Sequence, residues 1–428
     1  MWSVKSVWRV KPDRTQEKEF FCAAWAFVKW IIYACVIGVV VGLAGVAFHY
    51  GVDYATELRA ECPDAIWLLP IAGVWIIWLY RVCEMEKDRG TNLVLLAVRD
   101  AEPMKLRTAP LIFISTIVTH LVGGSAGREG AALQLGGSLA AGLGRKFRLD
   151  AKNRRVMVMC GMSAAFSALF GTPLTAAVFS MEVVSVGVMY YAALVPSLIA
   201  ALVAFQLAVR CGLHSTVGYT VTGMMELSGS SMIRVTLLGV LCAFLSIVFC
   251  MSMHLSSKLY AKWFANPMAR AAAGGILVLL LTLLVGNQDY NGAGDALIRR
   301  LLGGESIPYA FLLKILFTAL TLGAGFRGGE IVPVLCTGCA FGSLAGPLLG
   351  IPHSFGGALG MAATFCGATN CPLSAILIAY ELFGGTGLPL YALCCAVSYR
   401  LSGYYGLYSA QKILYAKSSP YLVDRNAN

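Results

Sequence analysis

The chain has 428 residues, of which 58% are hydrophobic and 13% are charged, and its mean hydropathy is +0.72. A soluble protein of this length does not have such a composition, so we expect an integral membrane protein. The net charge of +11 does not indicate a nucleic-acid ligand, because the basic residues concentrate in short loops, as the positive-inside rule describes. The densest basic cluster, residues 144–155, is expected to be cytoplasmic.

The first half is predicted to begin with two full membrane spans. A polar cytoplasmic segment, residues 1–22, precedes a first span at about residues 23–50. The uninterrupted apolar run 31–48 would rise about 27 Å as a helix, which is close to the thickness of the bilayer core. A signal peptide would have a shorter apolar stretch, so we expect the span to be retained. The second span is predicted at about residues 65–82.

Shorter apolar stretches, interrupted by glycine, follow the second span and recur in the second half. Several are too short to cross a bilayer alone. Helices that stop within the membrane are tolerated only where they line a cavity or are buried in protein, and this pattern is typical of transporter sites. The stretches are residues 91–99, 108–124, 130–143, 156–169 and 173–190, and then 307–323, 330–349, 355–367, 372–384, 388–400 and 403–416.

Longer spans are predicted between these two sets of short stretches. They cover about residues 191–210, 231–264 and 269–286. A loop with His214 and Tyr219 follows the first of them, residues 295–303 resemble a short amphipathic helix, and residues 417–428 form a short polar C-terminal tail.

An internal repeat is the strongest pattern in the sequence. Seven positions of the first half recur 199 residues later, and the same offset relates Arg128 to Arg327. Agreement without a gap predicts two related membrane repeats, residues 23–214 and 215–416, with an ion site where they meet near the membrane midplane. The seven positions are Gly161, Met162, Ala164, Phe166, Pro173, Leu174 and Glu182, which recur as Gly360, Met361, Ala363, Phe365, Pro372, Leu373 and Glu381.

The candidate site centres on Glu129, in a Gly-Arg-Glu-Gly segment at residues 127–130. An ionisable group at membrane depth is costly and therefore indicates a functional site. A helix that starts just after Gly127 would offer unpaired N–H groups and the positive end of its dipole to an anion. We therefore include Gly127, Arg128 and Gly130 in the candidate anion site.

The chemistry of Glu129 suggests a link between an anion and protons. Burial favours the neutral acid, whereas Arg128 and local N–H groups favour the carboxylate, and the sequence does not decide between them. A charged carboxylate would compete with an anion for the site and would release the site when protonated. The repeat counterpart of Glu129 is Gly328, so the acid is particular to the first half. The alternative is a structural acid paired with Arg128.

The sequence indicates neither a metal site nor an enzyme. The fourteen cysteines are scattered mostly through apolar segments and are interpreted as small buried hydrophobic residues, except that Cys62 falls in a loop. The five histidines are dispersed, and metalloprotease and phosphate-loop motifs are absent from the sequence. We therefore predict no cofactor, no metal and no enzymatic activity.

Three segments together resemble the CLC family of anion channels and anion/proton antiporters. Residues 127–130, followed by Gln134, are similar to the gating-glutamate motif of that family. Residues 328–333 resemble its second filter motif, and residues 407–409 resemble its C-terminal segment, where a tyrosine hydroxyl coordinates the anion. The resemblance covers about residues 30–416 and implies an all-α integral membrane protein, with an inverted two-fold repeat of broken, re-entrant helices.

The resemblance also implies roles for individual residues. Glu129 would be the proton-linked gate, and Tyr408 would coordinate the anion. The backbones of Ile331 and Val332 would line the anion path. A homodimer with one pathway per subunit, placed in the lipid bilayer of a bacterial inner or plasma membrane, is also implied.

Departures from the usual family motifs favour fluoride as the anion. The first filter motif normally reads Gly-Ser-Gly-x-Pro, but residues 90–93 read Gly-Thr-Asn-Leu. In the second filter motif, Ile331 stands where the family commonly has an aromatic residue, and Glu330 precedes it. Both features resemble the fluoride-transporting branch, in which Thr91 and Asn92 would contact the anion. The predicted function is proton-coupled fluoride export, and the alternative is a chloride/proton antiporter or chloride channel of the same family.

Several of these residues also have structural interpretations. Thr91 and Asn92 are residue types that favour helix N-caps. Tyr408 shares its stretch with other tyrosines and would fit an aromatic belt at the membrane interface.

The charged residues near the helix breaks have structural interpretations as well. Arg128 and Arg327 would cap buried carbonyl groups, and Glu330 would accept hydrogen bonds from helix N-terminal amides. The symmetric recurrence of Glu182 and Glu381 favours a structural role in both halves.

Overall fold

The computed structural model describes residues 14–86, 88–213, 219–419 and 421–427. Residues 1–13 of the predicted N-terminal segment lie outside the described residues, and so does His214 of the predicted loop. The helices of the first half are α1 Arg14–Glu61, α2 Leu69–Val82, α3 Thr91–Arg99, α4 Thr108–Leu121, α5 Glu129–Lys146, α6 Ala151–Phe170, α7 Pro173–Glu182 and α8 Leu194–Arg210. Short 3₁₀ helices, Pro63–Leu68 and Tyr191–Ala193, lead into α2 and α8.

The second half contains a comparable series of helices. They are α9 Gly229–Trp263, α10 Pro267–Val285, α11 Asp295–Leu302, α12 Ala310–Gly323, α13 Ile331–Leu348, α14 His353–Thr369, α15 Pro372–Phe383 and α16 Leu388–Leu401. Within the described ranges, six helical segments are long and apolar enough to cross a membrane, and shorter apolar helices lie between them. The protein is therefore an all-α membrane protein built from full spans and broken helices, as predicted.

The first helix is longer than the predicted span. It has 48 residues and includes residues 14–22, which were expected to precede the membrane, and residues 51–61, which were expected to form a loop. Both extensions are rich in charged residues, so hydropathy alone does not identify them as part of a membrane helix. The C-terminal extension places Asp53 beside the segment that carries Arg128.

The repeat is visible in how the broken helices turn. α6 ends at Gly171, with φ of 69°, and α14 ends at the equivalent Asn370, with φ of 58°. Both angles lie in the left-handed region, where glycine and asparagine are the favoured residues. In each half a proline two residues later, Pro173 or Pro372, begins the next helix, a position where a missing N–H costs nothing.

Glu182 and Glu381 join the two halves. The Glu182 carboxylate accepts hydrogen bonds from the N–H groups of Leu373 and Ser374 at 3.0 and 2.8 Å. Glu381 accepts bonds from the N–H groups of Leu174 and Thr175, both at 2.8 Å. Each acid thus caps the first turn of the equivalent helix in the other half, where N–H groups lack intrahelical partners. The structural interpretation of both acids is confirmed.

A small sheet lies outside the predicted all-helical pattern. β1 (Ser185–Val186) pairs in parallel with β2 (Lys412–Tyr415), which pairs in antiparallel with β3 (Leu422–Asn426). The segment expected as a polar tail therefore folds back as a strand. Alternation of exposed and partly buried residues in β3 reflects a short surface strand, which a mean hydropathy cannot distinguish from a tail.

The cysteines are free thiols throughout the described residues. Most are buried, among them Cys160, Cys250 and Cys366, as expected for small hydrophobic residues. Cys62 and Cys211 are exposed. Within the described ranges, no group of three His, Cys, Asp or Glu side chains is arranged to hold a metal ion.

Candidate functional site

The N-termini of α5 and α13 meet through a backbone bridge. The N–H of Gly127 donates to the carbonyl of Gly329 at 2.7 Å, and the N–H of Gly329 donates to the carbonyl of Gly127 at 2.7 Å. A Cβ atom at Gly329 would lie 2.4 Å from the nitrogen of Gly130, so only glycine permits this contact. The two helices therefore bring the positive ends of their dipoles to one place, which suits an anion.

Glu129 is the first residue of α5 and only 2% of it is exposed. Its Oε2 accepts a hydrogen bond from the backbone N–H of Arg128 at 3.0 Å, and its Oε1 lies 3.8 Å from the guanidinium of Arg128. The carboxylate thus occupies donors at the helix N-terminus that an anion would otherwise use. This is the arrangement expected if carboxylate and anion compete for one site.

The guanidinium of Arg128 pairs mainly with Asp53. Its Nη1 lies 2.7 Å from Asp53 Oδ1, a shorter contact than the 3.8 Å between its Nε and Glu129 Oε1. Arg327, the repeat counterpart, lies 3.6 Å from Asp88 and stacks 4.1 Å above the ring of Tyr80. Both arginines contact carboxylates, so the interpretation that they cap buried carbonyl groups is wrong.

Tyr408 is a buried residue with an unsatisfied hydroxyl. Only 1% of the residue is exposed, and the hydroxyl has no hydrogen-bond partner. Its position excludes the aromatic belt at the membrane interface. Both Glu129 and Glu330 are close enough to act electrostatically on this hydroxyl. Because a buried polar group without a partner costs free energy, the hydroxyl is well suited to donate to a bound anion.

Thr91 and Asn92 begin α3, but neither caps it. The N-cap is Gly90, and no side chain makes a capping bond there. Asn92 Oδ1 instead accepts a hydrogen bond from the N–H of Ala410 at 2.9 Å, which ties the first filter segment to the turn carrying Tyr408. Its carbonyl oxygen is thus committed to positioning this turn. The helix-cap interpretation of both residues is wrong.

The hydroxyl of Thr91 faces the start of α5. It lies 3.2 Å from where a Cβ of Gly130 would be and accepts a long hydrogen bond from Gln134 Nε2 at 3.4 Å. Gln134 also bonds the carbonyl of Gly130 at 3.3 Å. Thr91, Gly130 and Gln134 therefore form one buried polar group beside Glu129.

Glu330 is a second, partly buried acid at the meeting point, and its role was not recognised in the sequence. It immediately precedes α13, makes no capping bond to that helix, and has an Oε2 atom without a hydrogen-bond partner. That atom lies 3.2 Å from where a Cβ of Gly130 would be. The expected hydrogen bonds to helix amides are not formed, so Glu330 faces the candidate site instead.

Lys314 is a buried cation that the sequence analysis also missed. It lies within α12, is fully buried, and donates to Ser125 Oγ at 3.1 Å and to the carbonyl of Gly292 at 2.8 Å. The sequence did contain a sign of its importance, because Lys314 is the single charged residue in the apolar stretch 307–323. Charges at membrane depth are costly and tend to be functional.

Two cavities approach the meeting point and share no lining residue. The larger, which we call the Asp53 cavity, has a volume of about 780 Å³. The smaller, the Asp88 cavity, has a volume of about 370 Å³. The lining of the Asp53 cavity includes His49, Asp53, Arg59, His120, Arg128, Asp289, Asp295 and Arg299. The lining of the Asp88 cavity includes Asp88, Thr91, Asn92, Gln134 and Glu330.

The region between the cavities is closed. Glu129 and Tyr408 line neither cavity, and Ile331 and Val332 are also buried. Arg128 faces the Asp53 cavity, whereas Glu330 faces the Asp88 cavity. The predicted site residues are therefore brought together at a barrier between two aqueous approaches, which is the geometry that alternating access requires.

Comparison with protein families gives one match over most of the chain. The profile of the family described as Voltage gated chloride channel matches residues 72–403. The chain is 35% identical over 396 residues to the Chloride/fluoride channel protein of Pseudomonas syringae pv. tomato, covering 91% of this chain and 87% of that protein. It is 25% identical over 384 residues to the H(+)/Cl(-) exchange transporter ClcA of Yersinia pseudotuberculosis, covering 82% and 80% of the two chains.

Solved structures are similar over the same region. The crystal structure of a CLC-type fluoride/proton antiporter has a TM-score of 0.88 and 32% identity, and the match covers 91% of this chain and 99% of that one. A slow cyanobacterial Cl-/H+ antiporter has a TM-score of 0.73 at 18% identity, covering 87% and 94% of the two chains, which supports the fold alone.

Proposed function

The chain belongs to the CLC family of anion transport proteins, and on this basis we propose that it exports fluoride in exchange for protons. Anion transport across a membrane is common to the family, whose members are channels and transporters rather than enzymes. The observation that carries the finer proposal is the buried Glu129 carboxylate at the helix N-terminus, which acts electrostatically on the unsatisfied hydroxyl of Tyr408. One group binds a proton, and the other donates to an anion.

The donors around the barrier suit fluoride. Fluoride is small and strongly hydrated, so a site for it must replace its water with closely spaced N–H and O–H donors. Tyr408 and Thr91 supply hydroxyl groups. At the start of α13, Ile331 and Val332 have N–H groups that lack an intrahelical acceptor. In this proposal Gly127 and Gly130, which have no side chains, let the backbone approach the anion closely, and Arg128 adds positive electrostatic potential at the site.

Proton coupling follows from competition for these donors. When Glu129 is charged, it occupies the N-terminal donors of α5 and blocks the anion path. Protonation removes the charge, releases the donors and lets the anion pass. A cycle in which the carboxylate and the anion alternate in the site therefore moves a proton, carried by Glu129, in exchange for an anion, and inward proton flow drives fluoride out.

The orientation of the proposal follows from the charge distribution. α5 runs from Glu129 to Lys146, so the basic cluster 144–155 lies at the opposite end of the helix from Arg128. If that cluster is cytoplasmic, the Asp53 cavity opens to the outside and the Asp88 cavity to the cytoplasm. We also infer two inverted repeats, a homodimer with one pathway per subunit, and a bacterial inner or plasma membrane.

The relatives include a specific alternative. The chain is 25% identical to an H(+)/Cl(-) exchange transporter, so a chloride/proton antiporter is the second candidate. A chloride channel of the same fold is the third. The residues at 90–93 and Glu330 favour fluoride over both.

Uphill transport separates an antiporter from a channel. Purified protein is placed in liposomes with equal fluoride on both sides, the membrane potential is clamped at zero, and the outside is acidified. An antiporter is expected to move fluoride outward, with no fluoride gradient or membrane potential to drive it, while protons enter. A channel cannot do so, and no net fluoride movement under this gradient would refute the proposal.

A further inference from the structure

We propose that Asp53, held by His49, is a positioning residue that binds the guanidinium of Arg128 beside Glu129 and thereby sets the external pH at which the gate is protonated. The inference rests on the proposed role of Glu129. It adds two residues of α1 that lie outside the motifs carrying the family resemblance.

A continuous chain of contacts supports the assignment. His49 Nε2 lies 2.8 Å from Asp53 Oδ2, and the two residues are one helical turn apart. Asp53 Oδ1 lies 2.7 Å from Arg128 Nη1, and Arg128 Nε lies 3.8 Å from Glu129 Oε1. The two oxygens of Asp53 are thus divided between a histidine and the arginine next to the gate.

The chain leads from the cavity surface to the barrier. The Asp53 side chain is 44% exposed, whereas the side chains of Arg128 and Glu129 are 11% and 3% exposed. Asp53 is therefore the member that water in the Asp53 cavity reaches most readily, and it contacts the buried guanidinium directly. A charge change at Asp53 is transmitted to Glu129 through one intervening side chain.

Other charged and titratable groups face this chain from each neighbouring element. Asp295 acts electrostatically on Arg128 in addition to Asp53 and Glu129, and the other groups line the same cavity or act on His120 in its wall. The groups are Arg59 of α1, His120 of α4, Asp295 and Arg299 of α11, and Lys314 of α12.

The electrostatic consequence has a definite sign. With Asp53 in place, the positive charge of Arg128 is balanced at a distance shorter than its distance to Glu129. Without that partner, the guanidinium is freer to favour the charged form of the neighbouring Glu129. Glu129 would then take up a proton only at lower pH.

Comparison with the second half explains why only the Asp53 cavity has this arrangement. Arg327 also contacts an acid, Asp88, at 3.6 Å. The residue after Arg327 is Gly328 rather than an acid. An Arg–Asp pair is thus present at both cavities, but only the pair at the Asp53 cavity adjoins a group that can gate.

The test is the external pH profile of anion flux in proteoliposomes. Asp53→Asn is expected to shift the midpoint by about one pH unit toward acid, and His49→Gln, which leaves Asp53 charged but less restrained, is expected to shift it by less. Asp53→Glu should restore the wild-type midpoint. The matched control is Asp289→Asn, since Asp289 lines the same cavity but pairs with Arg300 at 2.8 Å.

The outcomes separate this inference from the proposed function. An Asp53→Asn profile equal to that of wild type and Asp289→Asn would overturn the inference, even with fluoride/proton exchange intact. Equal shifts in Asp53→Asn and Asp289→Asn would also overturn it, because they would indicate a general loss of charge from the cavity. If Asp53→Asn does not fold, an unshifted His49→Gln profile overturns it.

Absence of proton coupling in the wild-type protein would refute the proposed function instead. The pH dependence of anion flux would still test the role of Asp53 in that case.

Discussion

At the scale of single residues, the site consists of a few polar groups that cannot all be satisfied without a ligand. Tyr408 has a buried hydroxyl with no partner, and Glu330 has a buried oxygen with none. Glu129 satisfies its own carboxylate with the backbone N–H of Arg128. Glu129 is therefore hydrogen-bonded while the Tyr408 hydroxyl is not, and a bound anion would accept the hydrogen bond that this hydroxyl can donate.

Glu129→Gln tests the gate directly. The amide resembles the protonated acid and cannot exchange a proton, so anion flux should become independent of pH and proton movement should stop. In wild type, flux should rise as pH falls, because protonation opens the gate. The measurement is simultaneous fluoride and pH recording in proteoliposomes.

Glu305→Gln is the control for Glu129→Gln. Glu305 is about half-exposed, and the Arg300 guanidinium beside it holds the pKa of its carboxyl below the ordinary value. It therefore stays charged over the assay range, and its loss should leave coupling unchanged. Intact proton-coupled flux in Glu129→Gln would remove Glu129 from the mechanism.

Tyr408→Phe removes one O–H donor and leaves the ring in place. One neutral hydrogen bond is expected to change affinity by about 2- to 10-fold, so the fluoride KM should rise by that factor with little change in protein stability. Tyr404→Phe is the control, because the ring of Tyr404 packs under Arg425 at 4.6 Å, at the small sheet. A fluoride KM equal to that of wild type would leave Tyr408 with a structural role only.

At the scale of helices and strands, the two halves are held together by contacts between broken helix ends. The N-termini of α5 and α13 are joined by the bridge between Gly127 and Gly329. The N-termini of α7 and α15 are capped by Glu381 and Glu182. The two acids satisfy N–H groups in the first turns of α7 and α15, which lack intrahelical acceptors.

Glu182→Ala tests whether this acid is a cap or part of a proton route. Loss of the cap leaves the N–H groups of Leu373 and Ser374 without their acceptor, so the free energy of unfolding should fall by about 0.5–2 kcal/mol. Proton coupling of the folded protein should be retained. Thermal unfolding in detergent and paired flux recording measure the two effects.

The surface variant Glu305→Ala provides the comparison for stability. The pair between Glu305 and Arg300 is half-exposed, and pairs of this kind contribute little to stability, so its unfolding should match that of wild type. Loss of proton coupling in Glu182→Ala at unchanged stability would contradict the structural role and place Glu182 on the proton path.

At the scale of the whole molecule, the fold could be predicted because the repeat and the helix breaks can both be recognised in the sequence itself. The recurrence of Pro173 as Pro372 and of Glu182 as Glu381 marks equivalent helices in both halves. The glycine-rich segments at 127–130 and 328–333 mark the ends of helices at the barrier. Both patterns carry their meaning without knowledge of tertiary contacts.

The parts that could not be predicted depend on contacts distant in sequence. Asn92 bonds Ala410 across 318 positions, and Arg128 pairs with Asp53 across 75. Neither contact leaves a periodic pattern in the sequence. Asn92 was therefore expected to donate to the anion or to cap a helix, whereas its carbonyl oxygen anchors the turn that carries Tyr408.

The central claim is that one pathway carries fluoride in exchange for protons. The most direct test is efflux of fluoride and of chloride from matched proteoliposomes, with the pH recorded at the same time. We expect fluoride to leave far faster than chloride, with protons entering the vesicles as fluoride leaves. Equal rates for the two anions, or fluoride efflux with no change in pH, would contradict the claim.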